Sequence, residues 1–325
     1  MKLLKLVPDD TNIRFLRWRV PFYIISLTLM AISLTLVFTK GLNLGVDFVG
    51  GQMIRTTFTQ SAAAPVAQLR EQIGALGYGE PIIQLFGKPN EISIRMRLPE
   101  GSAADPGLSD AMARKITATL KAGHPDVRID GVDSVSGKVS GELFRTGMTA
   151  LIAAMIAISI YIWIRFEWQF GIGALFSLFH DVTLTLGMFA LTQMEFDLNI
   201  VAALLTLIGY SLNDTIVVYD RIRENLKKYR RMPLPELLDL SVNETLSRTV
   251  MTSLSVLITL LALLVFGPNV IFGFTAAITL GIFVGTYSSI YMAAPILIWL
   301  NVTSRSFIPS ESAVDKQEAA ARAQR

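Results

Sequence analysis

Six long apolar runs constrain this chain more than any other feature: Val20–Phe38, Thr146–Ile164, Phe170–Leu191, Ile200–Tyr219, Thr249–Phe266 and Phe272–Trp299. Crossing a hydrocarbon layer takes roughly 20 mostly apolar helical residues. In lipid the backbone must satisfy its own hydrogen bonds, which makes such runs helices. The expectation is a polytopic α-helical membrane protein with six transmembrane helices. Composition agrees, since 52% of the 325 residues are hydrophobic and only 17% are charged, against about 25% charged in soluble domains. The first run follows Lys2, Lys5, Arg14, Arg17 and Arg19, as a signal peptide would. It is too long for a signal core, and Phe38-Thr39-Lys40 offers no small-residue cleavage site, so it reads as a retained helix.

A net charge of +3 speaks against a nucleic-acid partner, and the absence of cysteine removes disulfides and thiol chemistry. The two histidines, His124 and His180, lie on separate segments and do not suggest a zinc site. There is no phosphate-binding G-x-x-x-x-G-K-[ST] loop and no G-x-S-x-G elbow. No cofactor, no metal and no enzymatic activity are expected, and any energy the protein uses comes from elsewhere.

Lysine and arginine in short loops set orientation. The amino-terminal segment, residues 1–19, carries five and Asp220–Arg248 carries seven, whereas Thr192–Asn199 and Gly267–Ile271 carry none. Both termini, and a loop at about 220–248, are therefore expected in the cytoplasm. Residues 20–38 are the first span, 39–145 an outer domain, 146–306 the other five spans, and 307–325 a disordered tail. Within that loop, Pro233–Leu246 has the apolar spacing of an amphipathic helix lying at the membrane surface, with a simple connector as the equal alternative.

The outer segment reads as a folded module. Gln52–Thr59 is strand-like, and Ala64–Leu76 places Val66, Leu69, Ile73 and Leu76 on one helical face. Ile82–Gly87 and Ile92–Leu98 form two strands around Pro89-Asn90, Leu108–Ala122 is a second helix, and Val127–Val139 a closing strand. This β-α-β-β-α-β order is ferredoxin-like.

Ionisable residues within a span cost about 2.5–3.5 kcal/mol each on insertion scales and by default mark function. Asp181 sits in the third run beside His180, and Asp214 in the fourth beside Asn213. Topology brings Asp214, about five residues before the cytoplasmic end, towards Arg248 at the start of the fifth, which predicts a carboxylate–guanidinium pair that a proton could displace. His180 and Asp181, about 100° apart on a helix, are not expected to bond to each other. Gly273, Ala277, Gly281, Gly285, Ser289 and Ala293 recur at steps of four, a small-residue seam for close packing with another helix or a partner. Gly45–Gly51 leaves the first span through a glycine-rich turn in which Asp47 can accept from nearby backbone amides.

Leu44–Gly51 (LGVDFVGG), His180-Asp181-Val182, Gly209–Asn225 (GYSLNDTIVVYDRIREN) and Asn243–Ser253 (NETLSRTVMTS) together resemble SecF. That family is the smaller membrane subunit of the bacterial SecDF protein-export complex, related to the RND superfamily of proton-driven pumps. The resemblance implies a multi-pass protein of the bacterial inner membrane that uses the proton-motive force to promote preprotein translocation and release. The implied partners are SecD, the SecYEG translocon, YajC and preproteins. It also implies that Asp214 is the family's proton-linked aspartate, with Arg248 working beside it and Asn213 and Asp181 close by. Asp47, Phe48, Gly50 and Gly51 fall on the family's Asp-Phe-x-Gly-Gly motif. Two readings compete: half of an RND-like exporter of lipids or small hydrophobic molecules, and a structural assembly factor.

Overall fold

In the computed structural model, residues 8, 11–85, 87–98 and 106–302 are described, so the tail from 307 and most of the first ten residues lie outside the described residues. The helix α1 (Arg19–Thr39) is followed by a short α2 (Val46–Val49). Next comes the inserted domain: β1 (Gly51–Phe58), α3 (Val66–Gly74), β2 (Ile82–Leu85), β3 (Glu91–Met96), α4 (Pro106–Gly123) and β4 (Val127–Val135). Four long helices follow: α5 (Gly137–Arg165), α6 (Trp168–Thr192), α7 (Leu198–Lys228) and α8 (Leu234–Phe266). The last span begins as α9 (Phe272–Ser288), widens into a π turn over Ser289–Ala293, and ends as α10 (Ala294–Trp299).

The domain's sheet is antiparallel in the order β2-β3-β1-β4, the arrangement that the β-α-β-β-α-β sequence order demands. Alternation along each strand builds it. Ile54, Phe58, Ile92, Ile94 and Met96 turn inward against Leu69 and Ile73 of α3 and Met112, Ile116 and Leu120 of α4. The opposite face carries Met53, Arg55, Ser93 and Arg95 and looks at the end of the helical bundle. The expected closing strand is shorter than Val127–Val139. Ser136 accepts from the Val139 amide and caps α5, so the chain turns helical at Gly137.

All six long helical segments are apolar enough to cross a membrane. α6 and α7 form the centre of the bundle, whereas α1, α5 and α8 expose most of their apolar surface. The small-residue seam is internal. A Cβ on Gly273 would touch Ile200, one on Gly281 would collide with the Leu207 side chain, and one on Gly285 would meet Ser211 at 3.1 Å. All three neighbours lie on α7, which runs parallel to α9. Ala277 is buried in the same seam.

One expectation about the region after the fourth span is corrected. α7 itself continues through the charged residues 220–228 to Lys228. Residues 234–246 are not a separate surface helix but the first turns of α8 itself. Their apolar stripe, Leu237, Leu238, Val242 and Leu246, is buried beside Ile222 and Leu226 of α7. The segment before α1 crosses the same stretch of α8. Asn243 accepts from the Ile13 amide and donates to its carbonyl, and Asp239 accepts from the Leu16 amide. Protein neighbours, not lipid, thus cover that amphipathic face.

Candidate functional site

The centre of the bundle holds two buried carboxylates, each satisfied by side chains from other helices. Asp214 of α7 accepts from Thr249 Oγ1 of α8 at 2.9 Å and from Ser289 Oγ of the π turn at 3.2 Å. Asp181 of α6 bonds through Oδ1 to His180 Nδ1 at 2.9 Å. Its Oδ2 accepts from Ser211 of α7 and from Ser288 of α9, the latter at 2.9 Å, and Ser177 donates to Ser288. His180 and Asp181 have no solvent exposure, and Asp214 has 6%.

Ser288 and Ser289 are neighbours in sequence, yet one serves Asp181 and the other Asp214. Neighbours on a helix point about 100° apart, and at Ser289 the helix widens into a π turn, a feature that recurs at functional positions. Ser211 and Asp214, three residues apart, lie on one face of α7, so that face joins the two carboxylates a second time. The result is a continuous polar layer across α6, α7, α8 and the last span. Among the described residues, no group of three or more His, Asp or Glu side chains is placed to hold a metal ion.

Two sequence expectations fail here. Arg248 forms no ion pair with Asp214 among the described residues; it is exposed, and its charge reaches the carboxylate only through space. Thr249 occupies the facing position, and one residue along a helix is a rotation of about 100°, which turns Arg248 to the outside. His180 and Asp181 do bond to each other despite the same rotation. Both are short side chains leaning along the helix, and Nδ1 lies close enough to its own backbone for the neighbouring carboxylate to meet it. Asn213 is exposed on α7, on the outside of the bundle.

A second site lies where the glycine motif meets the bundle. α2 presents Asp47, whose Oδ2 accepts from the Leu198 amide at 3.0 Å, while Asp197 accepts from the Ile200 amide at 3.1 Å. Two aspartates thus cap the start of α7, where unpaired amides and the helix dipole favour negative charge. The sequence suggested a local turn for Asp47; its partner is instead 151 residues away. Phe48 packs on Phe144 of α5 and on Phe196 in the α6–α7 connection. Gly45 donates to the Phe196 carbonyl and Phe196 to that of Asn43.

Arg95 of β3 completes the junction, donating to the Leu44 carbonyl at 2.7 Å and to the Asn43 side chain, with Glu195 at 3.6 Å. Neither Arg95 nor Glu195 was singled out in the sequence. A cavity of about 670 Å³ opens beside them, between the sheet and the bundle end, lined by Met53, Arg55, Glu195, Asp197 and Phe272. Burial pushes the Glu195 carboxyl up, Arg95 opposes this, and Asp197 and Asp47 add to it; burial likewise raises Asp197. Burial lowers the Arg95 guanidinium, against the pull of Glu195.

A raised folded-state carboxyl contributes stability below its unfolded value and loses it as pH rises through the folded value. The junction is therefore expected to loosen as pH climbs out of the ordinary carboxylate range. Thermal unfolding of the purified protein in detergent, between about pH 5 and about pH 8, reads this linkage. Glu195→Gln should flatten the pH dependence while Asp197 preserves part of it; an unchanged slope would show that Glu195 titrates normally.

A six-helix membrane bundle with an antiparallel inserted domain and a buried carboxylate layer defines a protein-export membrane protein of the SecD/SecF type. Residues 115–303 match the family described as "Protein export membrane protein SecD/SecF, C-terminal", and residues 35–62 match the "SecD/SecF GG Motif". The protein translocase subunit SecF of Cereibacter sphaeroides is 48% identical over 303 residues, covering 92% of this chain and 93% of the relative. The SecF subunit of Calditerrivibrio nitroreducens is 46% identical, covering 90% and 95%. The crystal structure of SecDF from Thermus thermophilus, a translocon-associated membrane protein, superposes with a TM-score of 0.81 at 35% identity. That match takes in 90% of this chain but only 39% of the longer SecDF polypeptide. The chain belongs to the SecF family of protein translocase subunits, accessory transport components of the Sec system. Family membership and the six apolar helices make it a multi-pass inner-membrane protein.

Proposed function

We propose that this chain is the SecF half of a SecDF-type machine that spends the proton-motive force to promote preprotein translocation and release. The observation that carries the reading is Asp214. It is a carboxylate within a membrane helix, held by neutral hydroxyls from two other helices, with Arg248 one residue from its Thr249 partner. Ionised, it lacks a contacting counter-charge in a medium where an isolated charge is costly. Protonated, it is neutral and can remain. Uptake or loss of one proton thus changes what ties α7 to α8 and to the π turn.

The polar groups Asn213 and Arg248 on the outside of the bundle fit cover by a further membrane subunit better than cover by lipid. SecD is that partner in this reading, corresponding to the part of the longer SecDF polypeptide outside the match. SecYEG, YajC and the preprotein complete the assembly. The inserted domain then lies on the periplasmic side and both termini in the cytoplasm, as the lysine and arginine distribution indicates. Within it, the Asp47–Gly51 motif and the Arg95–Glu195 contact form the mechanical link from bundle to domain, because they join the start of α7 directly to β1 and β3.

Inverted membrane vesicles containing SecD and SecYEG, with or without this chain, provide the test. Preprotein translocation is followed with the proton gradient intact and collapsed. The gradient is expected to accelerate translocation only when the chain is present; equal acceleration without it would overturn the assignment.

A further inference from the structure

The buried group that the Asp214 account leaves unused is His180. Its ring is fully buried, Nδ1 is bonded to Asp181, and Nε2 has no hydrogen-bond partner among the described residues. A buried nitrogen without a partner forfeits its hydration for nothing, so its retention asks for a role. We propose that His180 and Asp181 form a second proton-binding site, linked to Asp214 by the hydroxyls of Ser288 and Ser289. This inference rests on the proton-coupling role of Asp214.

The protonation chemistry is self-consistent. Asp181 takes three donors, one from His180 and two from serines, an arrangement that suits an ionised carboxylate. Nδ1 then carries hydrogen, and in the neutral ring Nε2 holds a free lone pair. One proton arriving at Nε2 converts a site of net charge −1 into an imidazolium–carboxylate pair of net charge zero. Protonation therefore removes net charge from the interior of the bundle. The site needs no further counter-anion to hold the proton, because Asp181 is already in contact.

The neighbouring helices leave few competing titratable groups. α7 brings Asp214, and Tyr219 at a distance, its hydroxyl donating to the Ala293 carbonyl. α9 brings Tyr287, whose ring stands 6.1 Å from that of His180 and whose hydroxyl reaches Ser26 and the Phe22 carbonyl of α1. From the π turn comes Tyr291, stacked on Phe22. α1 offers Tyr23, whose hydroxyl donates to the Met292 carbonyl. α8 carries Glu236, Asp239, Glu244 and the exposed Arg248 before Thr249 and no titratable side chain after it, and α5 has none between Arg145 and Tyr161. Asp181 is the charge in direct contact with His180.

The link between the two sites is a pair of hydroxyls, each with a choice of acceptor. Ser288 Oγ lies 2.9 Å from Asp181 Oδ2 and 3.1 Å from the Gly285 carbonyl. Ser289 Oγ lies 3.2 Å from Asp214 Oδ2 and 3.0 Å from the Thr286 carbonyl. A hydroxyl has one hydrogen to give, so each serine donates either to its carboxylate or to its own helix. A change of charge at one aspartate releases one serine to the backbone, and the adjacent residue of the same helix, where α9 passes into the π turn, carries that change to the other aspartate.

The test uses the full chain assembled with its partners in nanodiscs and vesicles. With only two histidines in the sequence, ¹⁵N-histidine NMR resolves His180 once His124→Gln identifies the other signal. The expected result is a neutral ring with hydrogen on Nδ1 at high pH that gains a second proton on acidification, with a midpoint that moves in Asp214→Asn. In the vesicle assay, His180→Gln and Asp181→Asn should both lose gradient-dependent stimulation, and Asp181→Glu should recover part of it. If Asp214→Asn loses stimulation while His180→Gln keeps it, the second site is refuted and the Asp214 account stands. If Asp214→Asn keeps stimulation, both fall together. A variant that fails to assemble leaves the NMR result to decide, and a His180 signal that does not titrate overturns the proposal.

Discussion

Asp214→Asn is expected to remove the gradient-dependent component of translocation at matched levels of assembled complex. The substitution changes little in shape. The amide oxygen can still accept from Thr249 Oγ1. Ser289, which can donate to the Thr286 carbonyl, can turn to accept from the amide nitrogen. What disappears is the ability to gain and lose a proton. One elementary charge moving through a potential of about 100 mV carries about 2.3 kcal/mol, a bias of roughly fifty-fold on a conformational equilibrium. An effect of that order per proton is the ceiling on what the variant can lose. Inverted vesicles with and without an uncoupler give the measurement. Stimulation that survives in the variant would make Asp214 a structural tie between helices and hand the lead to the scaffold reading.

Only part of the fold and of the carboxylate layer is legible in the amino-acid sequence. The six spans were visible because lipid imposes one solution on a long apolar run, and the sheet domain because its alternation and helical spacing are local patterns. Asp214 and Asp181 stood out for the same reason, as charges where charge is expensive. Their partners did not. Ser211, Thr249 and Ser288 are ordinary hydroxyl residues in membrane helices, and nothing in their spacing says which of them faces a carboxylate. Ser289 was read as one more small residue in the α9 seam, although it carries the bond to Asp214. Steps of four gain about 40° per step on an α-helix, so such a stripe cannot face one neighbour along its whole length. The π turn that resolves the drift is a property of the packed helix. Arg95 and Glu195 were invisible for a different reason, since they meet only after a domain of about 90 residues has folded back on the bundle.

Gly51→Ala is expected to produce the largest loss of folding stability among single-methyl changes at the glycine motif. Gly51 opens β1 with φ of +117°, a conformation that L side chains rarely adopt. A Cβ there would run into the Met96 carbonyl oxygen of β3 and approach Arg97 Cα at 3.1 Å. Both obstacles are backbone, so no rotamer change relieves them. Backbone strain of this kind costs about 1–3 kcal/mol by itself, and the collision should carry the total towards the ~4 kcal/mol that marks exceptional substitutions. At Gly50, with φ of +72°, the closest obstacle is Gly137 Cα at 3.1 Å at the start of α5. Gly50→Ala should therefore cost less, because a shift of a few tenths of an ångström in α5 can accommodate it. The consequence of Gly51→Ala reaches past the sheet. Moving β1 from β3 displaces Arg95, adjacent to Met96, from the Leu44 carbonyl and from Glu195. The domain would lose its grip on the α6–α7 connection while the spans themselves remain inserted. Limited proteolysis of membrane-inserted protein separates these effects. Early cleavage should appear within the inserted domain in Gly51→Ala, far less in Gly50→Ala, with the helical bundle protected in both. Wild-type protection of the domain in Gly51→Ala would mean that the β1–β3 approach is looser than the collision implies and that the second glycine is not fixed by sterics.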